Sequence, residues 1–451
     1  MELTPSFVAI LQGFASVFTA PTFQTFVLLA SGWCLSHRHR FVTELIQSSG
    51  SVHNGHHSCY HRFFSHAAWS LDHLSRTLAR LLVRTFLPTG LIELAVDDTL
   101  CRKRGLTLYG AGMHHDPLIS SRALKLVSWG HDWVVLCLIL RCPSWAPTKV
   151  WCLPVLFRLY KNRQGRTKGR KGHKAPPDPA HRTRPQLAVE MIGLFAAWFA
   201  DRQCLVTGDS AYGGKSVLRP LPANVDLISH VHPKGALYAP PSPRQPGQKG
   251  AARKKGARLP GLADWAADPG QAWQELVFDQ FGLHATLLVK TLQALYYKAG
   301  KSRLLTIVLT RDALGKRPDQ RFYCTRLDWD ARQILSAYAA RWSIECTFEN
   351  SKQYLGLEDP ANRTPLAVQR TAPLALVLYS LIVVWFDQVG HTRLQFPDRP
   401  WYKKKVEPSF ADLLTTLRRV SWQERFAGVG PDTGVYQNSL ALLLDFVSRT
   451  G

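Results

Sequence analysis

Four residues near the C-terminal third have types and spacing that suit chemistry on a phosphate. Tyr338, Arg341, Glu345 and Lys352 lie at offsets of 0, 3, 7 and 14. At 100° per residue those offsets fall within roughly 60° of one helical face. The stretch Asp330 to Gly356 reads as a single helix, with Asp330 capping its start and Gly356 closing its end. Its face then carries a ring, two cations and a carboxylate over four turns. Two further acids stand where apolar runs end. Asp97 and the adjacent Asp98 follow the run 91–96, and Asp209 follows Leu205-Val206-Thr207-Gly208. Breaking and rejoining a phosphodiester is an in-line displacement that two Mg²⁺ ions about 3.5–4 Å apart can promote. Such hard cations take carboxylate oxygens. Asp97, Asp209 and Glu345 are the candidate ligands. Asp98 is an alternative to Asp97, because neighbouring residues of a strand point to opposite faces.

The spacing Tyr-x2-Arg-x3-Glu-x6-Lys resembles the Y-R-E-K signature of DDE superfamily transposases of cut-and-paste bacterial insertion sequences. Asp97-Asp98-Thr99 is similar to the first-aspartate block of that family, and Gly208-Asp209-Ser210-Ala211-Tyr212-Gly213-Gly214 to the second. YHRFFSHAAWS (60–70) and PWYKKKVEPSFADLLTTLRR (400–419) resemble its N-terminal and C-terminal regions. The resemblance implies a ribonuclease-H-like α/β catalytic core. A β-rich insertion interrupts it, and helical N-terminal and C-terminal segments flank it. It implies that Asp97 bridges two Mg²⁺ (or Mn²⁺) ions, that Asp209 and Glu345 each complete one shell, and that family spacing prefers Asp97 to Asp98. Tyr338, Arg341 and Lys352 would contact the DNA backbone. The implied activity is cutting at the element's ends and joining of the freed 3′-OH to target DNA, by a homodimer on DNA. A catalytically silent DNA-binding protein and a hydrolysis-only endonuclease share the same scaffold and stay open.

The elements that must position these residues can be read along the chain. The organisation expected is a helical DNA-binding region (1–88), a first core part (89–225), the insertion (226–329), a second core part (330–390) and a helical C-terminal region (391–451). Residues 22–34 and the helix opened by Ser70 are the clearest N-terminal helices. On the latter, Leu71, Leu74, Leu78, Leu81 and Leu82 form an apolar stripe. Arg76, Arg80 and Arg84 form a basic one that suits a phosphate backbone. The histidines and Cys59 between these helices fit no closed four-ligand zinc spacing. Residues 132–141 and 149–160 read as buried strands and 186–200 as a helix. Beyond 226, strands are expected at 227–232, 284–289, 294–297, 304–310 and 322–326. A disordered basic loop over 233–261 carries Arg253, Lys254, Lys255 and Arg258. Trp265 or Trp273 of the insertion could stack on an extruded base.

The totals set the partner class. The chain has 451 residues and 46% apolar content, with 56 Lys+Arg against 32 Asp+Glu, a net charge of +24. Such an excess fits a polyanion, whose counterions are released on binding. Residues 158–174 alone hold eight Lys/Arg and three Gly, and read as a loop that orders on nucleic acid. Nine cysteines without C-x2-C pairs read as thiols of a reducing cytoplasm. The resemblance implies that this is a bacterial cytoplasm, near the nucleoid. The longest apolar run, 372–386, contains Pro373 and reads as a core helix, so no membrane is expected.

Overall fold

The apolar runs that end in acids become strands because their β-branched and leucine side chains are covered on both faces. The computed structural model describes residues 3–121, 123–162, 181–244, 250–280, 283–396, 404–426 and 443. Most of the basic stretch 158–174, the tail residues 400–403 and nearly all of 427–451 lie outside them. Five helices come first: α1 (Pro5–Gln12), α2 (Ala20–Leu35), α3 (Val42–Ser48), α4 (Ser58–Ser65) and α5 (Leu71–Phe86). Four strands follow: β1 (Ile92–Arg102), β2 (Gly112–His115), β3 (Val127–Arg141) and β4 (Val150–Tyr160). Then come α6 (Arg184–Trp198), β5 (Cys204–Gly208), α7 (Lys215–Leu218), β6 (Val225–His230) and α8 (Leu262–Ala267). Next are β7 (Gln274–Gln280), β8 (Leu283–Leu295), α9 (Tyr297–Gly300), β9 (Leu304–Asp312) and β10 (Gln320–Cys324). Helices α10 (Ala331–Ala340), α11 (Ser343–Leu355), α12 (Pro365–Gln388) and α13 (Phe410–Phe426) complete the described chain.

All ten strands form one mixed sheet. Its main path runs β2-β3-β1-β5-β6-β10-β9-β8-β7, and β4 also pairs with β3. β1 is antiparallel to β3 and parallel to β5, and β5 is parallel to β6. The order β4-β3-β1-β5-β6, with helices packed against it, is consistent with a ribonuclease-H-like nuclease fold. The strands after β6 extend this sheet edge to edge, antiparallel throughout. The sequence reading missed β7 and α8. It also divided β8, which runs unbroken through 283–295. The basic 233–261 segment is more ordered than expected where it is described. Tyr238 pairs with both Arg258 and Leu295, and the Lys255 ammonium lies 3.8 Å from the Tyr238 ring centre. Trp265 is 5% exposed, which removes it as a stacking platform. Trp273 is half-buried, with the Arg311 guanidinium 4.4 Å from its ring.

A few buried cations fasten the helices to one another, and one long apolar rod packs against the sheet. α12 has the length and hydropathy to cross a membrane, but 94% of its apolar window is buried within the fold. Arg370 on α12 donates to the carbonyls of Phe64, Ala67 and Trp69 and stacks over the Trp69 ring. The aromatic residues of the 60–70 stretch thereby serve as core: Tyr60, Phe63, Phe64 and Trp69 are all buried. Arg40 donates to the Tyr354 carbonyl at 2.6 Å, and the Trp33 indole to the Leu355 carbonyl at 2.8 Å. Both bonds fasten the N-terminal helices to the end of α11.

The stretch 330–356 departs from a single helix at one turn. Asp330 caps its start as expected, and Gln333 returns the bond to make a reciprocal capping box. At Arg341–Trp342 the backbone stays in the right-handed region, but its hydrogen bonds tighten. Arg341, Trp342, Ile344 and Glu345 each donate to the residue three before. The Ser343 hydroxyl takes the Ala340 carbonyl at 2.8 Å. A short 3₁₀ turn thus separates α10 from α11.

Gly356 ends α11 at φ 57° and ψ 43°, in the left-handed region. A Cβ there would stand 2.3 Å from Asp359 Oδ2 and 2.8 Å from Arg40 Cγ. Gly356→Ala is therefore expected to destabilise the fold by about 1–2 kcal/mol. A urea titration should show a lower midpoint with unchanged slope.

Candidate active site

Register brings the first two acids together. On the parallel pair β1–β5, Val96 sits opposite Gly208. The next residues are Asp97 on β1 and Asp209 just past β5. The two acids therefore leave neighbouring backbones that are about 4.8 Å apart, as paired strands are, and Asp209 is near enough to raise the Asp97 carboxyl. The Asp209 turn is fixed at both ends. Its Oδ1 accepts from Ala211 N at 2.8 Å, and its carbonyl accepts from the Ser229 hydroxyl at 2.6 Å. Two of the three glycines of this block, Gly208 and Gly213, are needed for packing. A Cβ on Gly208 would meet Tyr212 Cβ at 2.8 Å, and one on Gly213 would meet Ser229 Oγ at 2.5 Å.

The third acid arrives from the helix through a cation. Arg341 Nη1 donates to Asp97 Oδ2 at 2.6 Å, and its Nη2 is 3.6 Å from Glu345 Oε1. Arg341 is buried, and Glu345 is partly exposed beside it. Lys352 donates to the Leu100 carbonyl at 2.7 Å and lies 3.9 Å from Glu358, which ties α11 to β1. Tyr338 packs in a ring cluster, its centroid 4.9 Å from His230 and 4.7 Å from Phe322. Arg76, Arg80 and Arg84 lie exposed along α5, on the far side of the helix from buried Leu74, Leu78 and Leu82.

Asp97 and Asp98 face different neighbours, as alternation along β1 requires. Asp98 accepts from the Tyr212 hydroxyl at 2.6 Å and pairs with Arg184 Nε at 3.2 Å. Arg184 also binds the buried Asp132 and stacks 4.4 Å over the Tyr160 ring. His114 Nδ1 lies 3.6 Å from Asp132. Sequence reading did not pick out Tyr212, Arg184, Asp132 or His114. Only Tyr212 lay in a recognised block; the others come from distant stretches that the sheet folds together.

The electrostatics follow from crowding. Burial, the nearby Asp209 and Asp98 push the Asp97 carboxyl up to about 7, against the pull of Arg341. Burial and Asp132 push Asp98 up to about 6, although Tyr212 and Arg184 oppose it. Burial also raises Glu345, again against Arg341. Burial works to discharge Arg341, but Tyr338, Asp97 and Glu345 outweigh it and hold it charged. Burial and Arg184 lower His114 to about 4, so the ring is neutral near pH 7.

The family model described as DDE superfamily endonuclease matches residues 13–293. The chain belongs to that family. No curated protein matches it. The matched stretch contains Asp97, Asp98 and Asp209 and ends ahead of the Glu345 helix. DDE endonucleases act on DNA and generally use divalent metal ions. Among the described residues, no three His, Cys, Asp or Glu side chains stand close enough to enclose an ion. The donor set nevertheless fits one in kind. Asp97, Asp209 and Glu345 offer only carboxylate oxygens, and Asp97 and Glu345 are driven toward their neutral form by burial and by the nearby Asp209. The Arg341 guanidinium now lies between Asp97 and Glu345.

An acid whose folded-state pKa is raised weighs against folding once it ionises. That cost is absent below its unfolded value near 3.8 and complete above about 7. Asp97→Asn is therefore expected to stabilise the metal-free protein, by on the order of 1 kcal/mol or more at pH 8. The gain should shrink as pH falls from 7 and vanish near pH 4. Thermal melts of both proteins in chelator across that range check the trend.

Proposed function

We propose that this DDE endonuclease is the transposase of a bacterial insertion sequence. In this reading it cuts the element's ends and joins the 3′-OH to target DNA. The observation that carries the reading is the meeting of Asp97 and Asp209 on adjacent parallel strands, with Arg341 joining Asp97 to Glu345. Asp97, Asp209 and Glu345 would hold two Mg²⁺ ions, or Mn²⁺ in their place. When bound, the ions supply charge neutralisation at the attacking and leaving oxygens. Asp98 is the less favoured first ligand, since Tyr212 and Arg184 hold it while Asp97 shares Arg341 with Glu345.

The chain's own residues do the positioning. Arg341 moves from Asp97 to the scissile phosphate as DNA arrives, which frees Asp97 as a ligand and keeps a cation on the phosphate. Lys352 and Tyr338 line the same approach to the DNA backbone. Each is half-buried and already engaged, so contact with a phosphate exchanges a protein partner for a substrate one. The exposed Arg76, Arg80 and Arg84 on α5 hold flanking duplex. The organisation proposed keeps 1–88 as the DNA-binding region, 89–225 and 330–390 as the two core parts, 226–329 as the insertion and 391–451 as the C-terminal region. The protein works as a homodimer on paired DNA ends in the bacterial cytoplasm. The nine free cysteines, six of them buried, suit a reducing compartment.

A cleavage and joining assay on DNA carrying the element's ends, with Mg²⁺ or Mn²⁺, tests this. Wild type should cut and join, and chelator should stop both. Asp97→Ala, Asp209→Ala and Glu345→Ala should still bind DNA. Each should lose more than the roughly 10–100-fold that loss of a residue supporting a metal ligand costs. Cutting without joining would reduce the protein to an endonuclease. Binding without cutting would leave a DNA-binding scaffold.

A further inference from the structure

Past Asp97 the sheet narrows into an arm. β3 runs on to Val127, where β2 pairs with it, Met113 opposite Trp129 and His115 opposite Val127. Alternate residues of β2 divide cleanly: Gly112 and His114 are buried, while Met113 and His115 are exposed. The base of the arm is clamped. Lys103 donates to the carbonyls of Glu358 and Pro360 at 2.5 and 2.9 Å, just beyond α11.

The tip is a built loop. Asp116 accepts from Arg102 Nε at 2.7 Å, Ser128 Oγ at 2.6 Å and Leu118 N at 3.1 Å. The Ser120 hydroxyl donates to the Asp116 carbonyl and accepts from Leu126 N. Ser121 N donates to the Leu124 carbonyl at 2.9 Å. All this order holds apolar side chains in water. Leu118 is 77% exposed, Leu124 59% and Ile119 49%, with Leu126, Met113 and Val127 exposed beside them. Fixed apolar surface of this kind marks a site that is covered in use.

Charge says by what. Between Arg102 and Asp132 the only acid is Asp116, and it is buried and neutralised by Arg102. Arg104, Lys125 and Lys161 are exposed around the tip and the base. A second copy of a chain carrying +24 would bring like charge to this surface. A duplex offers phosphates outside and apolar base faces within, which is the match.

We propose that the β2–β3 arm is a DNA wedge. Leu118, Ile119 and Leu124 enter between base pairs and bend the duplex, and Arg104 and Lys125 hold the adjacent phosphates. The arm reaches up to about 35 Å beyond Asp97, at roughly 3.3 Å per strand residue. That is about one turn of B-DNA from the cleavage site. The proposal rests on the reading that the protein acts on DNA.

The test uses the full chain and a duplex of about 30 bp labelled at both ends for energy transfer. Wild type should raise the transfer by bending the duplex. The triple variant Leu118→Ser/Ile119→Ser/Leu124→Ser should melt like wild type and bind with an unchanged salt slope, losing less than about tenfold in affinity. It should abolish the bending signal. Leu118→Met/Leu124→Met should keep it, and Arg104→Ala or Lys125→Ala should each lower the salt slope by about one. A triple variant that bends as well as wild type overturns the wedge while leaving the nuclease reading intact. A triple variant that turns a DNA-free dimer into a monomer overturns it in favour of an interface between copies. Failure of wild type to bind any duplex overturns the reading beneath both.

Discussion

The constraint on which the site depends is the cost of gathering carboxylates where water is scarce. Asp97, Asp98, Asp132 and Asp209 lie within reach of one another's fields, and burial raises three of them. Each has been given its own answer. Arg341 faces Asp97 from the helix side of the sheet, and Arg184 with Tyr212 faces Asp98 and Asp132 from the other. Removing one cation would leave an unpaired buried acid, which costs more than the pair itself contributes. The tightened turn at Arg341–Trp342 reads in the same way. It sets the guanidinium between Asp97 and Glu345, and the Ser343 hydroxyl takes up the Ala340 carbonyl there.

Two kinds of cation are therefore at work, and they differ in what they face. Arg184 is locked by a carboxylate on each side and a ring beneath it. Its surroundings suit permanence. Arg341 faces the two acids proposed above as metal ligands, and in that reading its bonds are the ones that exchange. Lys352 lies between these cases, anchored to a backbone carbonyl of β1.

Much of this was legible in sequence because it is local. The capping box at Asp330, the left-handed Gly356, the apolar runs ending in Asp97 and Asp209, and the basic stripe on α5 all follow from residues close in the chain. The turn between α10 and α11 was not legible, and the partner that its Arg341 meets, Asp97, lies 244 positions away. Arg184, Asp132 and His114 escaped notice for the same reason. No spacing rule links them, and only the pairing of β1, β2 and β3 makes them neighbours. The place of the 226–329 strands was half visible. Their existence follows from β-branched runs, but their hydrogen bonding to β6 depends on an edge that the sequence does not announce.

That edge has a mechanical consequence. β6 gives Asp209 a hydroxyl from Ser229, and β10 reaches the same turn through Tyr323, which donates to the Gly213 carbonyl at 2.9 Å. From there β9, β8 and β7 continue in one unbroken ladder. A load applied at the outer rim therefore reaches the second acid through ladder hydrogen bonds, with no soft linker in between. The outer strands are thus continuous, through hydrogen bonds, with the two contacts that hold the Asp209 turn.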